Sequence, residues 1–117
     1  MGYTNYYTQS TDFTDKEWKQ IKSEFEYVKD HAGDIIEIQY DEKDYIQFNG
    51  TNGCESFCLN KYAKTEKERK YKEEDLEFNF CKTRELPYDI YVWHMLVFIA
   101  GLKASQGKKD FTISRDR

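Results

Sequence analysis

Two cations and a hydroxyl, Lys82-Thr83-Arg84, stand a few residues ahead of Tyr88-Asp89 and a long apolar run. If that run is a helix, its first turn offers free backbone N–H groups and a dipole end that favours an anion. The residue types suit a phosphorylated ligand: Lys and Arg for charge, a hydroxyl for hydrogen bonding, and Tyr or Trp faces for stacking a base. The Asn49-Gly50 turn, Glu55 and the late Ser114-Arg115-Asp116 join this cluster if the strand order brings them to the same end of the sheet. The candidate ligand-binding residues are therefore Asn49, Glu55, Lys82, Thr83, Arg84, Tyr88, Asp89, Ser114 and Asp116.

Other chemistries find less support. Zinc sites want convergent pairs such as C-x-x-C or H-x-x-x-H. Here Cys54 and Cys58 are four apart in a strand-like segment, and His31 and His94 fall in different helical segments. No metal site is expected, and His94 reads as a core or subunit-interface histidine. There is no G-x-S-x-G elbow and no phosphate loop of the G-x-x-x-x-G-K-[ST] or G-x-G-x-x-G type. Cys81 reads as a small buried hydrophobe. A hydrolase or nuclease built on Glu55, Asp89, Asp116 and Lys82 ranks last, because no spacing forces these carboxylates together. No catalytic residue and no cofactor are expected.

Composition bounds the fold that must position these groups. The chain has 117 residues, 38% hydrophobic and 34% charged, with a formal net charge of −4. That length predicts one α+β domain over 1–117. Leu, Ile, Val and Phe total only 24 residues, but 18 Lys+Arg nearly balance 22 Asp+Glu, which argues against disorder. Twenty aromatics (10 Tyr, 8 Phe, 2 Trp) make up the shortage and predict a small aromatic core. An acidic balance without a basic stripe excludes non-specific nucleic-acid binding. The longest apolar stretch, 90–102, is broken by His94 and falls short of the ~20 residues a bilayer requires. Met1-Gly2-Tyr3-Thr4-Asn5-Tyr6 is not a basic-then-apolar leader, and three cysteines make no disulfide scaffold. A cytosol with reduced thiols is the expected setting.

The element signals are local. Thr14 and Glu17 have capping-box spacing, Phe13 and Trp18 fit a hydrophobic staple, and Gly33 follows an apolar stripe, predicting a helix over 14–32. Ile36, Ile38 and Tyr40, then Ile46 and Phe48, then Phe57 and Leu59 alternate with polar residues, predicting a three-stranded antiparallel meander. Its second turn, Gly50-Thr51-Asn52-Gly53, suggests positive φ at the glycines and Asn52. Residues 61–75, 11 of them charged, predict a solvated, mobile loop. Phe78 and Phe80 mark a fourth strand, and Phe111 and Ile113 a last one, with Tyr3–Thr8 as an additional edge strand.

A second helix starts near Pro87 and is apolar nearly all round, which predicts burial on all faces. It must pack on the sheet and be covered again, by helix 14–32 or by another subunit, so a homo-oligomer through 88–105 is expected. Phe and Trp fall on buried periodic positions (Phe13, Trp18, Phe25, Phe48, Phe57, Phe78, Phe80, Trp93, Phe111), and Tyr mostly elsewhere. The expected fold is an α+β two-layer sandwich: an antiparallel-rich sheet of 4–6 strands packed with two main helices. The strand, helix and strand after Cys81 allow one parallel crossover.

Phe80-Cys81-Lys82-Thr83, followed by Pro87-Tyr88-Asp89 opening an apolar helix, resembles a recurring block in small uncharacterised proteins of tailed phages and giant viruses. Ile46-Gln47-Phe48-Asn49-Gly50, Glu55-Ser56-Phe57 and Ile113-Ser114-Arg115-Asp116 fall where that group has similar pieces, so the likeness covers about residues 45–117. The chain departs from the pattern at Cys54, where a His commonly precedes the Glu, at Leu86, in place of a basic residue, and at Arg115, which interrupts a Ser-Asp pair. The resemblance implies a phage-encoded accessory protein that works by binding in the cytoplasm of an infected bacterium. One class of such proteins sequesters nucleotide second messengers of antiviral systems. On that reading the partner is an anionic small molecule, a cyclic nucleotide or ADP-ribose-like signal. The alternative is a protein-interaction module that inhibits or adapts a host protein through exposed Tyr residues and an acidic face.

Overall fold

The computed structural model describes residues 3–63 and 78–116. In chain order the elements are β1 (Thr4–Gln9), α1 (Asp15–Ala32), β2 (Ile36–Asp41), β3 (Tyr45–Gly50), β4 (Phe57–Asn60), β5 (Phe78–Lys82), α2 (Asp89–Ala104) and β6 (Phe111–Asp116). The class is α+β. The six strands pair antiparallel in two three-stranded sheets, β2-β3-β4 and β5-β1-β6. The charged loop expected over 61–75 lies, from residue 64 onward, outside the described residues.

Local signals build α1 as its spacing requires. The Thr14 hydroxyl accepts from the Glu17 N–H at 3.1 Å, and Glu17 Oε1 accepts from the Thr14 N–H at 2.9 Å. Phe13 stacks on Trp18 at 5.9 Å, completing the staple. Gly33 ends the helix at φ 51, a conformation a Cβ disfavours, and its N–H bonds to Lys29 O. The stripe of Trp18, Ile21, Phe25, Val28 and Ala32 is buried, with Phe25 stacked on Phe48 of β3 at 5.9 Å.

Several expectations change. Tyr3–Thr8, read as an edge, is the middle strand β1 of its sheet. Its polar residues are buried because they are bonded: Asn5 to Asp89, and Gln9 Nε2 to Asn60 O at 3.1 Å. β5 and β6 both run antiparallel to β1, so they are parallel to each other with β1 between them, and α2 is their crossover. β2 is an edge strand with a register shift between Ile38 and Tyr40. Only its Ile36 is buried, while Ile38 and Tyr40 face solvent. In the β3–β4 turn only Asn52 takes positive φ, at 57°. Gly50 serves closeness instead: a Cβ there would overlap the Tyr88 ring.

The core lies between the sheets and helices. The Tyr7 ring of β1 meets Phe57 at 5.4 Å and Phe111 at 6.2 Å, and its hydroxyl donates to Cys58 O at 2.6 Å, tying one sheet to the other. Val92, Met95, Leu96 and Ile99 of α2 are fully buried. The helix is not buried all round, because α1 covers one flank only: Ile90 is 66% exposed and Val97 47%. Phe80, expected inside, is 54% exposed, since it shares the outer face of β5 with Lys82. Trp93 is half-buried, and the place of the Phe78 side chain lies outside what is described.

One charged cluster is buried where the two helices meet. Lys103 Nζ of α2 bonds to Glu17 Oε1 at 3.1 Å and Asp110 Oδ2 at 3.3 Å, while Gln106 and Lys108 donate to Glu17 Oε2 at 2.9 and 3.1 Å. Burial alone would raise the Glu17 carboxyl, but the Thr14 amide and these three side chains outweigh it and hold the group down at about 2. Among the described residues no helix is long and apolar enough to cross a membrane.

Candidate functional site

The end of β5, the start of α2 and the β3–β4 turn meet around Tyr88. Its ring is buried against Gly50, and its hydroxyl donates to Glu55 O at 2.8 Å and accepts from the Cys54 N–H at 3.2 Å. Asn49 Nδ2 donates to Cys54 O at 3.2 Å, and Asn49 Oδ1 accepts from the Gly50 N–H at 2.7 Å. Glu55 closes the clasp across the sheets: its Oε1 accepts from the Lys82 N–H at 2.6 Å, and its own N–H donates to Lys82 O at 3.1 Å. Asn49, Glu55 and Tyr88 are thus brought together as expected, with their polar groups bonded mainly to one another and to backbone.

A second cluster adjoins it on the inner face of the β5-β1-β6 sheet. Asp89, in the first turn of α2, accepts at Oδ1 from Thr83 Oγ1 at 2.5 Å and Asn5 Nδ2 at 2.9 Å, and pairs at Oδ2 with Arg115 Nη2. Arg115 Nε donates to Asn5 Oδ1 at 2.9 Å, and its guanidinium lies 4.4 Å from the centre of the Trp93 ring, in cation–π range. The ring of bonds closes through both ends of the chain. Asn5 and Arg115 were not among the candidates from sequence. Arg115 enters the sequence reading only within the Ser114-Arg115-Asp116 segment and as a departure from the resembled pattern, and Asn5 carries no local signal at all. The pair is opposite in register, Asn5↔Arg115, and only the strand order reveals it.

That same register divides the expected site. Thr4 faces Lys82 on one side and Asp116 on the other, and Tyr6 faces Phe80 and Ser114. Directly opposed residues share a face, so Lys82, Ser114 and Asp116 stand on the outer face of the sheet, away from Asp89. The helix N-terminus is also less available than expected: the N–H groups of Asp89, Tyr91 and Val92 already bond to Leu86 O and Tyr88 O. Arg84 and Glu85, at φ 55 and 60, form an exposed left-handed turn ahead of it. Lys82 and Arg84 are both exposed. Among the described residues neither side chain has an ion-pair partner.

Cys81 is fully buried, and burial, with the Glu55 charge adding, pushes its thiol far above the ordinary range, so it stays protonated. Among the described residues no three His, Cys, Asp or Glu side chains gather closely enough to hold a metal ion. His94, expected in the core or an interface, sits half-exposed between the helices, with Nε2 2.5 Å from Glu24 Oε2 and its ring stacked near Tyr27 at 5.7 Å. No protein-family model, curated protein or solved structure matches this chain.

Proposed function

We propose that this chain is a non-enzymatic accessory protein of phage type, acting in the cytoplasm of an infected bacterium. Its role is to bind and withhold an anionic, nucleotide-like ligand. One observation carries the reading: Lys82 and Arg84 stand exposed on either side of buried Thr83, without an ion pair to any described residue. The outer face beside them supplies the other parts of a nucleotide site. Phe80 offers a ring two residues before Lys82, opposite Tyr6, while Ser114 and Asp116 stand two strands away with groups that bond sugar hydroxyls. Phosphate is held by the cations, a base by the ring, and ribose by the carboxylate.

The test is a thermal-shift series with cyclic di- and trinucleotides and ADP-ribose, followed by recovery of the ligand after heat denaturation. A bound ligand at a hundredfold excess over Kd stabilises by ~2.7 kcal/mol. Lys82→Ala and Arg84→Ala should each remove most of that shift, and the released ligand should be intact. A degraded product would turn the reading to an enzyme. No shift with any ligand would turn it to the alternative, a module that inhibits or adapts a host protein. The exposed rings of Tyr27, Tyr40 and Tyr62 favour that alternative.

A further inference from the structure

The outer face of α2 is made of exposed Ile90, Val97, Gly101 and Ala104, flanked by half-buried Trp93 and His94. No Lys, Arg, Asp or Glu of α2 lies on it, because the helix's two charged residues, Asp89 and Lys103, are both buried. The charges at its edges, Arg115 over Trp93 and Glu24 on His94, come from β6 and α1. Surface helices ordinarily carry charge outward, and α1 does so with Lys16, Lys19, Glu26 and Asp30. Gly101 sharpens the anomaly. A Cβ there would meet nothing within 4 Å, so no packing inside the chain asks for glycine, although glycine weakens a helix.

We propose that this face is the seam of a homodimer in which two copies of α2 pack antiparallel about a two-fold axis at Val97. Size complementarity argues for a second copy. Bulky residues occupy the first half of the stripe and small ones the second. Antiparallel pairing about Val97 sets Ile90 against Ala104, Trp93 against Gly101, and His94 against Ala100 of the second copy. Each bulge then meets a gap, as an isologous interface requires. Charge complementarity points the same way. An uncharged stripe needs an uncharged counterpart, and the outer side of α1 is studded with ions. The chain's own segment 64–77 is dominated by Lys and Glu and has no apolar stripe to lay there. The seam rests on α2 alone and is independent of the ligand reading.

Sedimentation equilibrium over a wide concentration range tests it. The full chain should reach twice its monomer mass, and Val97→Glu and Gly101→Leu should each return it to monomer. Gly101→Leu is the sharper probe. Its side chain has open space in the isolated chain, so the thermal midpoint at low concentration should hold or rise while the dimer is lost. Under mild oxidation Val97→Cys should give a covalent dimer across the two-fold, and Ile38→Cys, exposed on β2, should not. A monomer at every concentration, or a dimer whose mass neither Val97→Glu nor Gly101→Leu changes, would overturn the proposal. A mass that rises only on adding host lysate would do the same.

Discussion

The two helices of this molecule solve the same problem in opposite ways. α1 carries its own instructions: a capping box at Thr14, a staple, a single apolar stripe, a glycine stop and ions on its outer side. α2 has few of these. Its N-cap position, Tyr88, makes no side-chain cap bond, it begins after a left-handed turn, and β-branched and aromatic residues fill it. Such residues lose side-chain freedom in a helix, so α2 is held by what it touches rather than by its own propensity. A helix held mainly by its surroundings depends on what packs against it, whereas a self-capped one can stand as scaffold.

The largest way to break this contrast is inside α2. Leu96→Ala should cost about 2 to 5 kcal/mol, because a fully buried leucine leaves both lost transfer energy and a cavity. Its neighbour Val97 is 47% exposed, and Val97→Ala should change the stability of the isolated chain by less than about 0.5 kcal/mol. Urea denaturation at low protein concentration measures both. Equal effects at the two positions would mean that the helix is rotated from the arrangement described.

Next comes the joint between the helices. Glu17 caps α1 and also receives Lys103, Gln106 and Lys108. Its carboxyl is held near 2, against an ordinary 4.5, so it binds its proton more weakly folded than unfolded. A carboxylate depressed in this way contributes stability above its unfolded value and loses it as pH falls through the folded one. At neutral pH the contribution is about 3 kcal/mol, disappearing between about pH 4.5 and 2. Glu17→Gln should lower neutral-pH stability by about 3 kcal/mol or more and flatten the acid limb, since a neutral amide leaves the buried Lys103 ammonium, among the described residues, with Asp110 alone for a counter-ion. Unfolding free energies at neutral pH and near pH 3 separate that outcome from a simple loss of packing.

How much of this was legible in the sequence follows the same line. α1 and the β2–β3–β4 meander could be read because each rests on signals within a few residues: Thr14 with Glu17, Gly33 after Ala32, Phe57 and Leu59 in alternation. The buried side of α2 could not, because an apolar run on every face contains no direction, and only contact with Tyr7's sheet and with α1 supplies one. Nothing local marks β1 as a middle strand, since Asn5 and Gln9 are polar. Their burial depends on partners at Asp89 and Asn60, far along the chain. Five of the nine candidate residues, Asn49, Glu55, Thr83, Tyr88 and Asp89, lie together in hydrogen bonds within the fold. The strand alternation then sent Ser114 and Asp116 outward and Arg115 inward, a choice of parity that needs the register to be known.

The smallest effects compare how the two helices begin. Thr14→Ala removes a hydroxyl that accepts from an otherwise unpaired N–H, and should cost about 1 kcal/mol. At the other helix the corresponding place is the Arg84-Glu85 turn, where two side-chain-bearing residues hold φ near 55 and 60. Glycine tolerates that backbone, so Glu85→Gly should stabilise by about 0.5 kcal/mol after the extra freedom of the unfolded chain is counted. The two changes thus act in opposite directions, and a thermal melt of each is enough to see it. Glu85→Gly also leaves Lys82 and Arg84 in place. If the turn exists only to start α2, ligand-induced stabilisation in this variant should match that of the unaltered chain. If its rigidity aims Arg84 at a phosphate, the variant should melt higher alone and gain less from ligand, because strain held at a binding turn is lost together with the preorganisation it provides.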